Sequence, residues 1–229
     1  MTRVIVFDVN ETLLDLDDLT PHFERAFAPK FTGKEVLDAW FTQMIESAMV
    51  GVITGAYADF GEVARGALEM IAEREEVELS SEDKNAILMG VRKLPPHPEV
   101  REALTLLQAA PLRLAALTNS TLEVAQSQLT QAGLAGFFEQ ILSADTAQQL
   151  KPAAEVYEQA SQSLGVETSE MRLVAAHAWD IAGAMRAGCA GAFVARPGKV
   201  LDPLFPEPDV VGKDLLEVAR KIVEVEGAA

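Results

Sequence analysis

The hydrophobic pattern of the chain alternates between short apolar runs and longer amphipathic stretches. Val4 to Phe7 form a continuous apolar run that begins with β-branched residues and ends at Asp8. A run of this kind is typical of a buried strand in a parallel sheet. Similar runs predict four further strands, at residues 114–117, 140–142, 173–175 and 192–194.

Helical patterns lie between these predicted strands. Asn119, Ser120 and Thr121 form a cluster that is typical of a helix start, and Gly165 and Gly188 are placed to end helices. Strands that alternate with helices predict a Rossmann-like, doubly wound α/β fold, with functional residues at the carboxyl ends of the strands. The predicted helices cover residues 100–109, 122–132, 153–164 and 180–187.

The stretch from Leu16 to Leu94 breaks this alternation, because it contains no convincing strand. The proline-rich segment at 94–98 then ends the helical pattern. We therefore predict an all-helical cap domain at residues 16–94, inserted into an α/β core domain of residues 1–15 and 95–229. Its predicted helices cover residues 19–28, 33–50, 60–74 and 81–92.

Composition narrows the classes of function. The net charge of −16 argues against nucleic acid as a partner, and it means that an anionic substrate needs local cations or backbone amides. Cys189 is the only cysteine, so an internal disulfide is impossible and a reducing cytoplasm is the expected location. We expect no signal peptide and no membrane partner, since no apolar run looks long enough to span a bilayer.

Four short segments carry the candidate chemistry, and each one follows a predicted strand or opens a helix. Taken singly, each has an ordinary explanation as a helix cap, a turn or a surface charge. Taken together, they place two carboxylates, one lysine and several hydroxyl or amide groups at one edge of one sheet, which predicts an active site. The segments are Asp8 to Leu14, Leu117 to Ser120, Lys151-Pro152 with Tyr157, and Ala175 to Asp180.

The order Asp-x-x-x-Thr, Thr-Asn, Lys-Pro and a final Asp resembles the four motifs of the haloacid-dehalogenase superfamily. The resemblance spans nearly the whole chain, including a helical cap after the first motif. Phosphatases of this superfamily have a general acid where this chain has Asn10, and an Mg²⁺-binding acid where it has Ala176. An amide and a methyl group supply neither function, so the resemblance implies a metal-free site without cofactors, similar to that of L-2-haloacid dehalogenases.

The resemblance also implies a role for each motif residue. Asp8 is expected to be the nucleophile, with Thr12 orienting it, Lys151 keeping it ionised, and Asp180 fixing Lys151 and polarising water. Residues expected to bind the substrate, the halide or the network around Lys151 are Asn10, Trp40, Phe41, Thr118, Asn119, Tyr157, His177 and Trp179.

The chain departs from those dehalogenases at several positions. They usually have an arginine where this chain has Phe41, and Tyr and Gly where it has Asn10 and Glu11. Ala175 and His177 replace the usual Ser and Asn. His177 is open to three interpretations: a base that activates water, a halide donor, or a hydrogen-bonded structural histidine.

The sequence therefore predicts a dehalogenase that hydrolyses short (S)-2-haloacids, and a homodimer is a further expectation. One alternative is a hydrolase of another small electrophile, such as a phosphonate, in which Lys30 or Lys34 would supply a Schiff-base lysine. The other alternative is a binding protein that keeps the fold but has lost catalysis. Retention of Asp8, Lys151 and Asp180 together favours the enzyme.

Overall fold

The structure is a computed structural model that describes residues 4–227. It contains a six-stranded parallel sheet in the order β3-β2-β1-β4-β5-β6, which confirms the predicted α/β fold. The five predicted strands are present, most of them slightly longer than predicted. The bounds are β1 Val4–Phe7, β2 Arg113–Thr118, β3 Gln140–Ser143, β4 Met171–Ala175, β5 Ala190–Val194 and β6 Val210–Gly212.

The helices also follow the predicted pattern, with shifts at their ends. The helix predicted at 33–50 continues to Thr54, and the one predicted to begin at 180 begins at Ala178. The bounds are α1 Thr20–Phe27, α2 Gly33–Thr54, α3 Phe60–Arg74, α4 Ser81–Gly90, α5 Val100–Gln108, α6 Leu122–Gln131, α7 Ala154–Leu164, α8 Ala178–Arg186 and α9 Leu215–Gly227.

The last strand and helix were not predicted. β6 has only three residues, so its apolar run is too short to stand out from a loop. α9 packs on the sheet through Val218, Ala219 and Ile222, which are buried. Arg172 on β4 links this end of the chain to the sheet, because its buried guanidinium contacts Asp209 and the carboxylate of Glu226.

The register of the sheet brings the candidate motifs together. β1 is central, and its last residue, Phe7, pairs with Ala116 of β2 on one side and Val174 of β4 on the other. The residues after these strands therefore emerge side by side at the carboxyl edge of the sheet, where doubly wound folds place their ligands.

The four helices α1 to α4 lie between β1 and β2 and form the predicted helical insertion. Side chains cap the starts of α2, α3 and α4: Thr32 and Asp59 form capping boxes, and Ser80 accepts a hydrogen bond from Asp83 N. Phe23 and Trp40 pack inside the insertion. One apolar cluster continues from the insertion into the α/β part, so the proposed division at residues 16–94 stays a prediction.

Helix α2 corrects one expectation from the sequence. By length and composition it is long and apolar enough to cross a membrane, with a mean hydropathy of 1.2 over 18 residues. Helices of globular proteins also meet this criterion, and α2 packs into the insertion through Trp40 and Met44. Its outer face leaves Val50 and Ile53 exposed, and the homodimer remains a prediction.

Candidate active site

Asp8, at the end of β1, lies in a buried ionic network with Lys151. The Nζ of Lys151 donates to Asp8 Oδ1 at 2.8 Å and to the carbonyl of Leu117 at 3.1 Å. The Lys151 side chain is 1% exposed and that of Asp8 is 7% exposed, so the pair is almost entirely shielded from water. Two charges in such a place need close partners, because burial of an unpaired charge is costly.

Asp180 and Tyr157 complete this network. Lys151 Nζ donates to Asp180 Oδ2 at 2.6 Å, and the Tyr157 hydroxyl donates to Asp180 Oδ1 at 2.6 Å. Asp180 stands in the first turn of α8, and α7 carries Tyr157 across from it. Both carboxylate oxygens of Asp180 are therefore occupied, and the structure places three predicted residues in contact around Lys151.

Thr12 holds the other oxygen of Asp8. Its hydroxyl donates to Asp8 Oδ2 at 2.6 Å and accepts from Ala176 N at 2.9 Å, so the loop after β4 is tied to the loop after β1. The carbonyl of Thr12 accepts from the guanidinium of Arg196, which also contacts Glu99. This chain of bonds fixes the orientation of the Asp8 carboxylate.

His177 approaches Asp8 from the side opposite Lys151. Its Nδ1 lies 3.3 Å from Asp8 Oδ2, and its Nε2 lies 2.7 Å from Glu11 Oε2. Lys199 Nζ contacts both carboxylate oxygens of Glu11 at 2.8 Å. The imidazole is stacked between Phe41 and Trp179, with ring centroids 5.6 and 5.2 Å away.

The charged groups of this site lower the pKa of Asp8 and raise the pKa of Lys151. Burial works against ionisation of Asp8, but Lys151 and His177 outweigh it and hold the pKa of Asp8 well below its usual range. Burial likewise opposes a charged Lys151, yet the carboxylates of Asp180 and Asp8 raise its pKa. Burial raises the pKa of Asp180 despite Lys151. Of the two carboxylates that contact Lys151, Asp8 therefore has the lower pKa and Asp180 the higher.

The carboxylates around His177 favour its charged form. Burial lowers its pKa, but the adjacent carboxylates of Asp8 and Glu11 overcome burial and raise the pKa to about 9. Burial also opposes ionisation of Glu11, and His177 together with Lys199 brings the pKa of Glu11 below its ordinary value. The result is an alternating series of charges that runs from Lys199 through Glu11 and His177 to Asp8.

The polar residues after β2 are engaged mainly with the protein itself. Asn119 does not cap α6 as expected, because its Oδ1 accepts from Lys151 N at 2.8 Å and so positions the lysine segment. The hydroxyl of Thr118 accepts from Ser120 N. The N-cap residue of α6, Thr121, makes no side-chain capping bond. The predicted anion contact of Thr118 and Asn119 stays a prediction.

A pocket of about 430 Å³ opens beside Asn10, between the helical insertion and the sheet edge. Asn10 donates to Ser120 Oγ and accepts from Gln128. Trp40 is 1% exposed and donates its Nε1–H to the carbonyl of Ala64, so its ring belongs mainly to the interior of the insertion. The apolar side chains that line the pocket are Leu16, Trp40, Phe41, Met44, Phe60, Leu88, Met89, Val91 and Val124.

Comparison with known proteins agrees with this arrangement. A sequence model of haloacid dehalogenase-like hydrolases matches residues 2–188, which is most of the chain. The chain belongs to this hydrolase family. The predicted superfamily is thereby confirmed, and the matched range includes Asp8, Lys151 and Asp180.

Individual relatives support the same family. The chain is 28% identical to an (S)-2-haloacid dehalogenase of Pseudomonas sp. (strain YL), over 90% of this chain and 88% of that protein. It is also 28% identical to haloacetate dehalogenase H-2 of Moraxella sp. (strain B), over 90% and 92%. The L-2-haloacid dehalogenase of Xanthobacter autotrophicus, solved with chloropropionic acid covalently bound, superposes with a TM-score of 0.90 at 25% identity over 100% of both chains.

Many hydrolases with these motifs use Mg²⁺, and the donors of this site do not fit that ion. Lys151 Nζ lies between the carboxylates of Asp8 and Asp180, where a cation would have to bind. Ala176 has no side-chain donor atom, and both oxygens of Asp180 already accept hydrogen bonds, from Lys151 and from Tyr157. Within residues 4–227, no group of three or more His, Cys, Asp or Glu side chains could hold a metal ion.

Sequence reasoning missed several residues of this hydrolase site. Glu11 was noted only as a departure from the family, and Lys199, Arg196 and Gln128 were not singled out. Glu11 lies within the first motif, directly before Thr12, and could have been suspected for that reason. Lys199 and Arg196 come from the loop after β5 and contact Glu11 and the carbonyl of Thr12. These partners are so far away along the chain that the sequence does not indicate the contacts.

Proposed function

We propose that this hydrolase converts short (S)-2-haloacids into 2-hydroxy acids and halide, without a metal, through an ester on Asp8. The observation that carries the proposal is the Asp8 carboxylate, which Lys151, Thr12 and His177 hold ionised and oriented at the edge of the sheet. A carboxylate of this kind is a nucleophile rather than a general acid, because its pKa is lowered.

In the first step, a carboxylate oxygen of Asp8 attacks the carbon that bears the halogen. A bond forms between that oxygen and the carbon, the carbon–halogen bond breaks, and the electron pair leaves with the halide. Lys151 and Thr12 fix the nucleophile during this step, since both bind the carboxylate.

In the second step, water adds to the carbonyl carbon of the ester. The negative charge that develops on the carbonyl oxygen lies beside Lys151 and is stabilised by its ammonium group. The 2-hydroxy acid then leaves, and Asp8 is a carboxylate again. Because the attack occurs at the Asp8 carbonyl, one oxygen of Asp8 comes from water after each turnover.

The substrate carboxylate is held without the arginine that related dehalogenases usually have. Phe41 occupies that position, with the His177 ring stacked on it and Lys199 Nζ 5.4 Å from its ring centroid. We expect weaker binding of the smallest acids for this reason, together with tolerance of a larger 2-substituent in the apolar pocket.

Halide release tests the proposed reaction. Chloro-, bromo- and fluoroacetate and both enantiomers of 2-chloropropionate would be incubated with the enzyme and with a control variant, Asp18→Asn, at an exposed position. We expect halide from the (S) enantiomer with both proteins. Absence of halide from every substrate, together with hydrolysis of phosphate esters in Mg²⁺, would contradict the proposal.

Substrate size is tested by narrowing the pocket. Gly61 lines the pocket, whereas Gly66, on the same helix, has open space around it. We expect Gly61→Leu to lower kcat/KM for 2-bromohexanoate more than for bromoacetate, and Gly66→Leu to leave the ratio unchanged. An unchanged ratio in both variants would show that the 2-substituent does not enter this pocket.

A further inference from the structure

The hydrolysis of an aspartyl ester needs a group that takes a proton from the attacking water. We propose that His177, held by Glu11, is this general base; the inference rests on the proposed dehalogenase function. Glu11 and Lys199 are then positioning residues, which act on the water only through His177.

Asp180, the residue that the sequence suggested for this task, is poorly placed for it. Its side chain is 0% exposed, and its two oxygens accept from Lys151 and Tyr157 at 2.6 Å each. A water molecule would have to displace one of these bonds before Asp180 could polarise it. Exchange of such a hydrogen bond for one to water is unfavourable in free energy, because it leaves a buried charged group without its partner.

His177 has the geometry that Asp180 lacks. Its Nε2 meets the Glu11 carboxylate, which only accepts hydrogen bonds at neutral pH, so Nε2 carries the proton there. Nδ1 is directed to Asp8, 3.3 Å from Oδ2, and makes no hydrogen bond among the described residues. Nδ1 is thus the ring atom that can exchange a proton beside the reacting carboxyl group.

Formation of the ester changes the charge around His177. The unliganded site has two carboxylates against the imidazole, Asp8 and Glu11, and these favour the imidazolium ion. Alkylation converts Asp8 into a neutral ester, so only Glu11 remains as an anionic neighbour, with Lys199 bound to it. The remaining faces of the ring contact Phe41 and Trp179, which are uncharged. Loss of one anion makes release of the proton easier, and the group becomes a base when the ester needs one.

The proton balance of the step is complete. Water oxygen bonds to the ester carbonyl carbon, and one water proton passes to His177 Nδ1. The tetrahedral intermediate then collapses, the bond from the Asp8 carbonyl carbon to the ester oxygen breaks, and His177 returns the proton to the departing 2-hydroxy acid. The second water proton passes from Asp8 to His177 and restores the imidazolium ion. The one proton released per turnover is the proton that His177 loses to solvent after the ester has formed, and no other reactant is required.

Glu11 adopts a backbone conformation that indicates a selected side chain. Its φ is +61°, in the left-handed region that glycine occupies without cost and other residues occupy less readily. The carboxylate is kept at this conformational cost, and its contacts are the His177 ring and Lys199. A side chain retained in this way is expected to have a function.

The kinetic test separates the two half-reactions with bromoacetate. At saturating bromoacetate we expect His177→Gln to release the first equivalent of bromide nearly as fast as the wild type, because Lys151 and Thr12 still bind Asp8. The variant should then stall with a carboxymethyl group on Asp8, visible by intact mass, and lose at least ~10²-fold in ester hydrolysis. In the wild type the hydrolysis rate should fall as the pH decreases, and this dependence should be absent in His177→Gln. His22→Gln, on the surface of the insertion, is the matched control and should behave like the wild type.

Two kinetic outcomes would overturn the proposal. One is hydrolysis of the ester by His177→Gln at the wild-type rate. The other is loss of the first bromide burst with hydrolysis intact, which would make His177 a halide donor. For the positioning role, Glu11→Gln should shift the pH dependence of ester hydrolysis to lower pH, because the imidazolium loses its remaining anionic partner. A purely structural role of Glu11 would leave that pH dependence in place.

A second measurement does not depend on dehalogenation at all. The Asp8→Asn amide is neutral, like the ester, so NMR titration of the His177 ring in this variant reports the charge change directly. We expect the pKa of His177 to be lower in Asp8→Asn than in the wild type. An unchanged pKa would refute the inference. Failure of the wild type to release any halide would instead refute the proposed function, so the two failures are distinguishable.

Discussion

The two sides of Asp8 differ in how completely their polar groups are satisfied. One side, here called the lysine side, consists of Lys151, Asp180 and Tyr157. These residues are buried and satisfy one another's hydrogen-bonding groups. On the histidine side, His177 keeps an unbonded ring nitrogen, and Glu11 is partly exposed.

The difference separates two requirements of the proposed reaction. A nucleophile must stay ionised and immobile, and a saturated network far from water supplies this. A general base must take a proton from water, and a ring nitrogen without a hydrogen-bond partner can do so. The lysine side contains the residues that the resemblance assigned to catalysis, whereas Glu11 and His177 on the histidine side stand where the resemblance predicted other residues.

Removal of the nucleophile is expected to have the largest effect. Asp8→Asn should reduce kcat by at least ~10⁴-fold, because an amide cannot form the ester. The measurement is halide release, with Asp18→Asn as the control. A single turnover of the wild type in ¹⁸O-water should label Asp8 before product. Label that enters product first would mean direct attack by water.

The next prediction compares the two lysines. Lys151→Met should lower the free energy of unfolding by about 3–5 kcal/mol, because it leaves two carboxylates facing each other without a cation. Lys199→Met should cost less than about 1 kcal/mol, since Lys199 is 27% exposed and its ion pair is screened. Urea unfolding at neutral pH measures both. Equal losses in the free energy of unfolding would mean that the ion pairs of Lys151 and Lys199 contribute equally to stability.

The histidine side should also be visible in the pH dependence of stability. The folded protein binds the His177 proton more tightly than the unfolded chain, whose histidine pKa is near 6.5. This stabilisation is therefore fully present below pH 6.5 and is lost as the pH rises through about 9. We expect the difference in free energy of unfolding between wild type and His177→Gln to shrink over that range. A difference that is constant with pH would mean that His177 is not charged in the folded protein.

The smallest expected effect is that of a chelator. Because Lys151 occupies the cation position between the carboxylates, excess EDTA should leave halide release unchanged. Added Mg²⁺ should not increase the rate either. A strict requirement for Mg²⁺ would contradict both the proposed reaction and the role given to Lys151.

Sequence reasoning was most informative where the chemistry is local. The strands before Asp8 and before the motif at Ala175 were predicted because their apolar runs are continuous, and the resemblance assigned Lys151 and Asp180. Residues in the loop after β5 were missed, because a lysine or arginine in a loop has no pattern that indicates a distant partner. Lys199 is bonded to Glu11, 188 positions earlier in the chain.

Two predicted site residues make hydrogen bonds that the sequence did not predict, and their contact with substrate stays a prediction. Asn119 was expected near an anion, yet its amide is bonded to the backbone of Lys151. Trp40 was expected to contact substrate, and its indole N–H is bonded to Ala64 within the insertion. Neither arrangement follows from residue type, since it depends on which backbone group the fold brings within reach.

The stacking of Phe41 on His177 joins two parts of the fold that sequence separates. Phe41 belongs to α2 of the helical insertion, whereas His177 belongs to the sheet edge. Any outward swing of the insertion therefore uncovers one face of the imidazole at the same moment as it opens the route for product. In the proposed reaction, exposure of that face to solvent and release of product would therefore accompany each other, and the swing would limit turnover whenever it is slower than the chemistry.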